Sequence, residues 1–181
     1  MPRKARTAPI VIGPFRAILG SARPSRSFPL RLDRHDRRLI EALQHDARLP
    51  VTALAERTGL SANATAERLR RLQRDGVIEG FTVRLSAAAL GRPLLVFVEV
   101  KLERTTPDVF AGFAAAARAA DEVLECHMVA GGFDYLVKTR VADMAAYRRF
   151  LSGTLLTLPG VRETHTYAVM EEIKEEGALP L

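Results

Sequence analysis

The chain has a single cysteine, no tryptophan and few aromatic residues of any kind. One cysteine, Cys126, excludes an intrachain disulfide framework and a zinc site built from several cysteines. No apolar run approaches the roughly 20 residues that a membrane-spanning helix requires. These absences favour a soluble protein of a reducing cytoplasm. The 181 residues suffice for one large domain or two small ones.

The sequence also lacks the motifs of catalysis and of metal binding. Its four histidines share no ligand spacing, and neither a nucleotide-binding glycine fingerprint nor a nucleophile motif is present. Cys126 and His127 are neighbours in a predicted strand, where adjacent side chains point to opposite faces and cannot act together. We therefore predict no catalytic residue, no metal site and no cofactor.

Positive charge is distributed unevenly along the chain. The formal net charge is +6, but residues 1–32 contribute +7, residues 33–76 contribute +2 and residues 77–181 contribute −3. Contact with nucleic acid is therefore expected from the first two segments and not from the third.

Residues 1–31 are predicted to be a flexible basic tail, because they combine prolines and scattered arginines with no long helical period. A secretory signal would need an apolar centre, which Pro14 and Arg16 interrupt. An organellar transit peptide would share the arginine content, but the remainder of the chain is bacterial in type. The expected contribution of the tail is a salt-sensitive attraction to phosphate.

Residues 32–77 have the pattern of a helix-turn-helix domain. A first helix should begin at the N-cap Asp33 and reach Asp46, and a second should begin near Val51. A turn at Gly59 then leads to a third helix that ends at Gly76. The first helix is expected to turn these residues inward: Leu39, Ile40 and Leu43.

The third helix has two different faces at about 100° per residue. One face gathers Ala62, Thr65, Ala66, Leu69 and Leu72, and the other gathers Asn63, Glu67, Arg70, Arg71 and Arg74. Guanidinium and amide groups suit the major groove of DNA, where they can pair with guanine, phosphate or adenine. The charge pattern alone is explained as well by a solvated amphipathic helix. The short helix and glycine turn before it favour DNA recognition.

Residues 78–91 are predicted to be a hinge strand and linker, because VIEGFTVRL alternates apolar and polar positions. Residues 92–174 then predict the order βαββαβ, typical of the ferredoxin-like sandwich, with residues 175–181 as a C-terminal tail. The whole chain is thus α+β. The sheet should carry apolar side chains on its bare face, which a second copy would cover. The second helix of this domain is expected to bury Met144, Tyr147, Leu151 and Leu155.

Long collinear strings resemble the Lrp/AsnC family of bacterial transcription regulators. They are LDRHDRRLIEALQHDARL, ERLRRL, GFTVRL, ECHMVAGGFDYLVKTRV and TLPGVRETHTYAVMEEIK, and the resemblance extends from residue 32 to about residue 174. It implies a cytoplasmic, nucleoid-associated regulator that binds double-stranded DNA. It also implies dimers that stack into tetramers or octamers, and an amino acid or related metabolite bound between dimers.

The resemblance also implies the site residues. The DNA-binding positions are Ser61, Asn63, Ala64, Thr65, Arg68, Arg70 and Arg71, and the outward face of the helix adds Arg74. The effector positions are Met128, Gly131, Gly132, Asp134, Met144, Tyr167, Ala168 and Val169. Glycine amides can approach a carboxylate closely, and Asp134 can pair with an ammonium group. Without the family, a Gly-Gly turn, a core Met144 and an Asp134 that caps the turn are the simpler interpretations.

Two other functions fit parts of this pattern. One is an architectural protein that bends DNA around an oligomer with little control by a ligand. The other is a metabolic enzyme that carries a regulatory ferredoxin-like module, although no catalytic constellation supports it.

Overall fold

The computed structural model describes residues 31–175 and 177–181. The predicted basic tail, apart from its last residue, lies outside the described residues. The chain divides into two compact units, one ending at Val83 and including the last residues of the chain, the other spanning residues 84–175. This division falls inside the predicted linker. In the described ranges, no helix is long and apolar enough to cross a membrane.

The N-terminal unit contains three helices, α1 (Arg34–His45), α2 (Val51–Thr58) and α3 (Ala62–Arg74). The Asp33 carboxylate accepts from the backbone N–H groups of the first turn of α1, and the Asp36 side chain accepts in return from the Asp33 N–H, forming a capping box. Gly59 ends α2 with φ at 71°, a left-handed conformation that favours glycine. The helices close on a core of Leu39, Ala42, Leu54 and Leu72.

The predicted hinge strand is absent from the single chain. No strand lies between α3 and Leu94, and residues 79–86 carry no regular backbone pairing. A strand needs a partner for its N–H and C=O groups, and no described part of this chain supplies one here. Val83 and Leu85 stay 70% and 69% exposed. The following residues form the predicted turn, which ends at Gly91.

The C-terminal unit has the predicted order of strands and helices. Its elements are β1 (Leu94–Leu102), α4 (Pro107–Ala119), β2 (Glu125–Met128), β3 (Tyr135–Val141), α5 (Met144–Gly153), a 3₁₀ turn (Leu155–Thr157) and β4 (Val161–Ala168). The four strands form one antiparallel sheet in the order β2-β3-β1-β4. The predicted α+β architecture is confirmed.

The edge strands are shorter than the sequence pattern predicts. The predicted fourth strand continued to residue 174, but β4 ends at Ala168. Its neighbour in the sheet is β1, which begins at Leu94, and Val169 donates a hydrogen bond to the Leu95 carbonyl. Beyond that point the described residues offer no partner strand, so the alternating pattern is not paired there.

One face of the sheet packs against the two helices. The buried side chains of β1 on this face are Val96, Val98, Val100 and Leu102. Phe113 of α4 is fully buried, and its ring centroid lies 4.3 Å from that of Tyr135 in β3. The prediction that Met144 packs inward is wrong, because its side chain is 54% exposed. Met144 is the first residue of α5, directly after the N-cap Asp143, and it precedes the residues of the helix that are buried.

The other face of the sheet is mixed rather than uniformly apolar. From the strand alternation, Phe97, Leu136 and Tyr167 share this face with charged residues such as Glu99 and Lys138. Phe97 and Leu136 are only half-buried. The expected apolar surface is therefore interrupted by charged side chains.

Candidate functional site

The exposed side of α3 carries the groups that could meet DNA. Asn63, Arg70 and Arg74 all lie on the surface, and both arginine side chains are 67% exposed. Arg70 contacts Glu67 at 3.0 Å, but both partners are largely in water, where such pairs contribute little. Arg70 can therefore exchange this partner for a phosphate. Ser61, also exposed, accepts a hydrogen bond from the backbone N–H of Ala64 through its hydroxyl.

Two other arginines of α3 point in a different direction. Arg68 Nη1 donates to Asp33 Oδ2 at 2.6 Å and to Asp36 Oδ1 at 2.9 Å. Arg71 Nη2 donates to the same Oδ1 of Asp36 at 2.6 Å. Their side chains are 27% and 37% exposed, whereas that of Asp36 is 1% exposed. Arg68 and Arg71 thus join α3 to α1, and the expectation that Arg71 lies on the outward face with Arg70 is wrong.

The charges of this cluster, Asp33, Asp36, Arg68 and Arg71, stabilise one another. The backbone N–H of Asp36 and the Arg68 guanidinium lower the pKa of Asp33 to about 2. Burial opposes ionisation of Asp36, but hydrogen bonds from Arg71 and Arg68 outweigh it and leave the pKa of Asp36 lowered. The same contacts, first that with Asp33, raise the pKa of Arg68. These shifts favour the charged forms of Asp33, Asp36 and Arg68 at neutral pH.

Thr65 and Ala64 are poorly placed for DNA contact. Thr65 is fully buried, and its hydroxyl donates to the Ser61 carbonyl at 3.0 Å. Thr65 therefore supports the start of α3 and is not accessible to a duplex, in agreement with its position on the apolar face. Ala64 is half-buried and offers only a methyl group.

Asp36 is the important residue that sequence reasoning missed. It lies three residues before Leu39 and seven before Leu43, so the helical spacing places it on the same inward face. An acidic residue within an apolar stripe requires a buried partner of opposite charge. That signal was present, but the sequence does not identify partners that lie 32 and 35 residues away.

The first group of predicted effector residues lies at the hairpin between β2 and β3. Gly131 and Gly132 are exposed there, and Asp134 Oδ2 accepts from the Leu102 N–H at 2.7 Å. Both glycines and Asp134 line an open cleft of about 280 Å³. The basic residues of its lining are Lys101, Arg104 and Arg162. Met128, at the end of β2, is 57% exposed.

The second group lies at the other end of the sheet. Ala168 pairs with Val96, whereas Tyr135, beside Asp134, pairs with Val100. The two positions on β1 are separated by four residues, or roughly 13 Å at about 3.3 Å per residue. The other members of this group are Met144, Tyr167 and Val169. One chain therefore does not bring the eight predicted residues into a single pocket.

Tyr167 has a defined partner on the bare face of the sheet. Its hydroxyl donates to Glu99 Oε1 at 3.1 Å, and this contact raises the pKa of Tyr167. Cys126 is half-buried against the core, and burial raises the pKa of its thiol. It is therefore a neutral packing residue at physiological pH. Within residues 31–175 and 177–181, no group of three His, Cys, Asp or Glu side chains could hold a metal ion.

Two family models match the chain, and each corresponds to one part of the predicted architecture. Residues 32–79 match the winged helix-turn-helix DNA-binding model, and residues 95–179 match the model of the Lrp/AsnC ligand binding domain. The chain is 52% identical over 148 residues to the leucine-responsive regulatory protein of Salmonella typhimurium, covering 82% of this chain and 90% of that protein. It is 51% identical over 148 residues to the leucine-responsive regulatory protein of Escherichia coli, with the same coverage.

Solved structures agree with this assignment. A transcriptional regulator of Neisseria meningitidis in complex with L-Met has a TM-score of 0.78 and 34% identity, covering 82% of this chain and 96% of that one. An AsnC family regulator of Agrobacterium tumefaciens has a TM-score of 0.77 and 30% identity, with the same coverage. The chain belongs to the Lrp/AsnC family of DNA-binding transcription regulators.

Proposed function

We propose that this regulator binds duplex DNA through the exposed side of α3, with Asn63, Arg70 and Arg74 as the contacting residues. The observation that carries the proposal is the division of the α3 arginines into a partly buried set paired with Asp36 and a largely exposed set. An exposed guanidinium can fork onto guanine or hold a phosphate, and an exposed amide can fork onto adenine. Ser61 adds a hydroxyl at the N-terminus of the helix.

Self-association is the second part of the proposal. Residues 81–85 carry no regular backbone pairing and are apolar at alternate positions, as expected of a strand whose partner is missing. The same segment of a second copy would supply that partner. A twofold dimer would also present two copies of α3 to neighbouring half-sites on one duplex.

An amino acid is proposed as the effector, bound where two subunits bring the hairpin and the far end of the sheet together. Neither Gly131 nor Gly132 has a positive φ, and a Cβ at either position would meet nothing within 4 Å. The fold of one chain therefore does not require glycine here, which favours close approach by a ligand. Asp134 is the candidate partner for the ammonium group, and the basic lining of the cleft suits the carboxylate. The Neisseria relative was solved with L-Met.

The remaining parts of the proposal follow from the family. Relatives are transcription regulators, so no enzymatic activity is proposed. The proposed location is the bacterial cytoplasm in association with the nucleoid, where both DNA and free amino acids are present. Larger assemblies, tetramers or octamers of stacked dimers, would create the contacts between dimers that the effector site needs.

A charge-neutral substitution tests the effector site without removing its structural hydrogen bond. Asp134→Asn keeps a side-chain oxygen for the Leu102 N–H but removes the negative charge. With each of the twenty amino acids added in turn, a ligand of the wild type should raise the melting temperature. The variant should lose that shift while keeping its affinity for DNA.

Asp121→Asn is the matched control, because Asp121 is an exposed carboxylate of the same unit outside the cleft. It should retain the ligand-induced shift. An Asp134→Asn protein with the wild-type shift would remove this carboxylate from the site.

A further inference from the structure

Among the residues that the structure describes, the side-chain hydrogen bonds of Asp36 join it to the start of its own helix and to α3. Oδ1 accepts from Arg68 at 2.9 Å and from Arg71 at 2.6 Å, and Oδ2 accepts from the Asp33 N–H at 3.2 Å. The residue is fully buried. A buried carboxylate without these partners would be strongly unfavourable, so α3 cannot rotate about its axis without breaking the cluster.

The rotation of α3 determines which side chains reach a groove. Arg68 and Arg71 are three residues apart and lie over α1, whereas Arg70 and Arg74 are four apart and lie on the exposed side. At about 100° per residue, a rotation of one residue position would exchange an outward side chain for an inward one. The ion pairs of Arg68 and Arg71 therefore determine the direction in which Arg70 and Arg74 point.

We propose that Asp36 is a positioning residue for DNA recognition, which holds α3 in register through Arg68 and Arg71 while neither arginine contacts phosphate. The proposal rests on the exposed side of α3 being the DNA-binding surface. Base readout requires a fixed side-chain direction, whereas non-specific attraction to phosphate requires only charge nearby. Loss of the Asp36 contacts should therefore reduce sequence discrimination more than it reduces overall DNA affinity.

The salt dependence of binding separates a phosphate contact from a positioning contact. The probe is a duplex that the full-length wild-type protein selects from a random library, compared with a scrambled duplex of the same composition. Arg70→Gln should lower affinity for both duplexes and reduce the slope of log K against log salt by about 0.9, the value for one phosphate contact. Arg71→Gln should lower affinity for the selected duplex alone and leave the slope unchanged. A reduced slope for Arg71→Gln would overturn the proposal.

Asp36→Asn tests the carboxylate itself, at a temperature where circular dichroism shows a fully folded variant. Affinity for the selected duplex should fall at least tenfold, while affinity for the scrambled duplex changes less than threefold. The control Asp46→Asn removes the same charge from an exposed position, where the carboxylate accepts from the Arg48 backbone N–H, and it should leave discrimination intact. Equal losses on both duplexes, or no loss on either, would contradict a positioning role.

A double variant supplies a readout that general loss of stability would not produce. In Asp36→Asn, Arg71 loses its carboxylate partner, whereas Asp36→Asn with Arg71→Gln restores a neutral amide pair. The double variant should discriminate better than Asp36→Asn alone, a positive coupling between the two sites. Simple addition of the two single losses would refute the pairing. A wild-type protein that selects no duplex would overturn the DNA surface itself, and this inference with it.

Discussion

Replacing Val83 tests whether two copies of the chain pair along residues 81–85. Full burial of a valine side chain contributes at least roughly 1.5 kcal/mol. Val83 is 70% exposed in the single chain, so a partner covering it would add about 1 kcal/mol per copy at that coefficient. A twofold interface counts each substitution twice, giving about 2 kcal/mol for Val83→Ser. The dimer dissociation constant should therefore rise by about 30-fold.

Sedimentation velocity across a concentration series measures this change directly. Leu156→Ser is the matched control, because Leu156 is another exposed aliphatic residue, 48% exposed, outside the segment. It should leave the dissociation constant within about threefold of the wild type, a change below 1 kcal/mol. Thr82→Pro removes a backbone N–H from the same segment and should also weaken the dimer, because proline cannot donate to a ladder. A Val83→Ser protein with the wild-type dissociation constant would refute pairing at this segment.

Two further predictions concern the stability of the separate units. The pKa of Asp33 falls from 3.8 to about 2 on folding, and that of Asp36 is also lowered. The contribution of these carboxylates to the free energy of unfolding is therefore fully present above about pH 4 and is lost as the pH falls towards 2. Between pH 6 and pH 3, the urea midpoint seen by circular dichroism should fall less in Asp36→Asn than in the wild type. Phe113→Ala should lower the free energy of unfolding of the C-terminal unit by about 3–5 kcal/mol. Tyrosine fluorescence reports on this unit, because all three tyrosines lie beyond residue 134, and the urea midpoint that it measures should fall. An unchanged midpoint would contradict the assigned core.

The parts of the fold that could be predicted from sequence are those that local physics decides. Asp33 and Ser61 cap helices because their side chains reach backbone N–H groups two or three residues away. Gly59 and Gly76 adopt positive φ, as expected for glycines that end helices. Each of these structures depends on a few adjacent residues, so the sequence alone carries the necessary information.

The features that sequence did not predict depend on distant partners. Whether residues 81–85 form a strand depends on a second backbone, which the described part of the chain does not supply. The direction of Arg71 depends on Asp36, which is 35 residues away. At about 100° per residue, position 71 lies near the boundary between the two faces of α3, and the buried carboxylate draws its side chain inward. The helical period predicts which positions lie on each face of α3. It does not predict the direction of a long side chain at the boundary between the faces.

Because the two predicted effector groups are separated in one chain, we expect the response to a ligand to depend on assembly. Tyr135, beside Asp134, and Ala168 lie roughly 13 Å apart along the sheet, so we expect a complete site to need one group from each of two subunits. Ligand and self-association are then linked: a ligand that binds only the assembled site also favours assembly. The apparent affinity for the effector should rise with protein concentration across the range where dimers associate. Calorimetric titration at two concentrations a hundredfold apart measures this, and equal affinities in fully dissociated and fully assembled protein would place the whole site within one subunit.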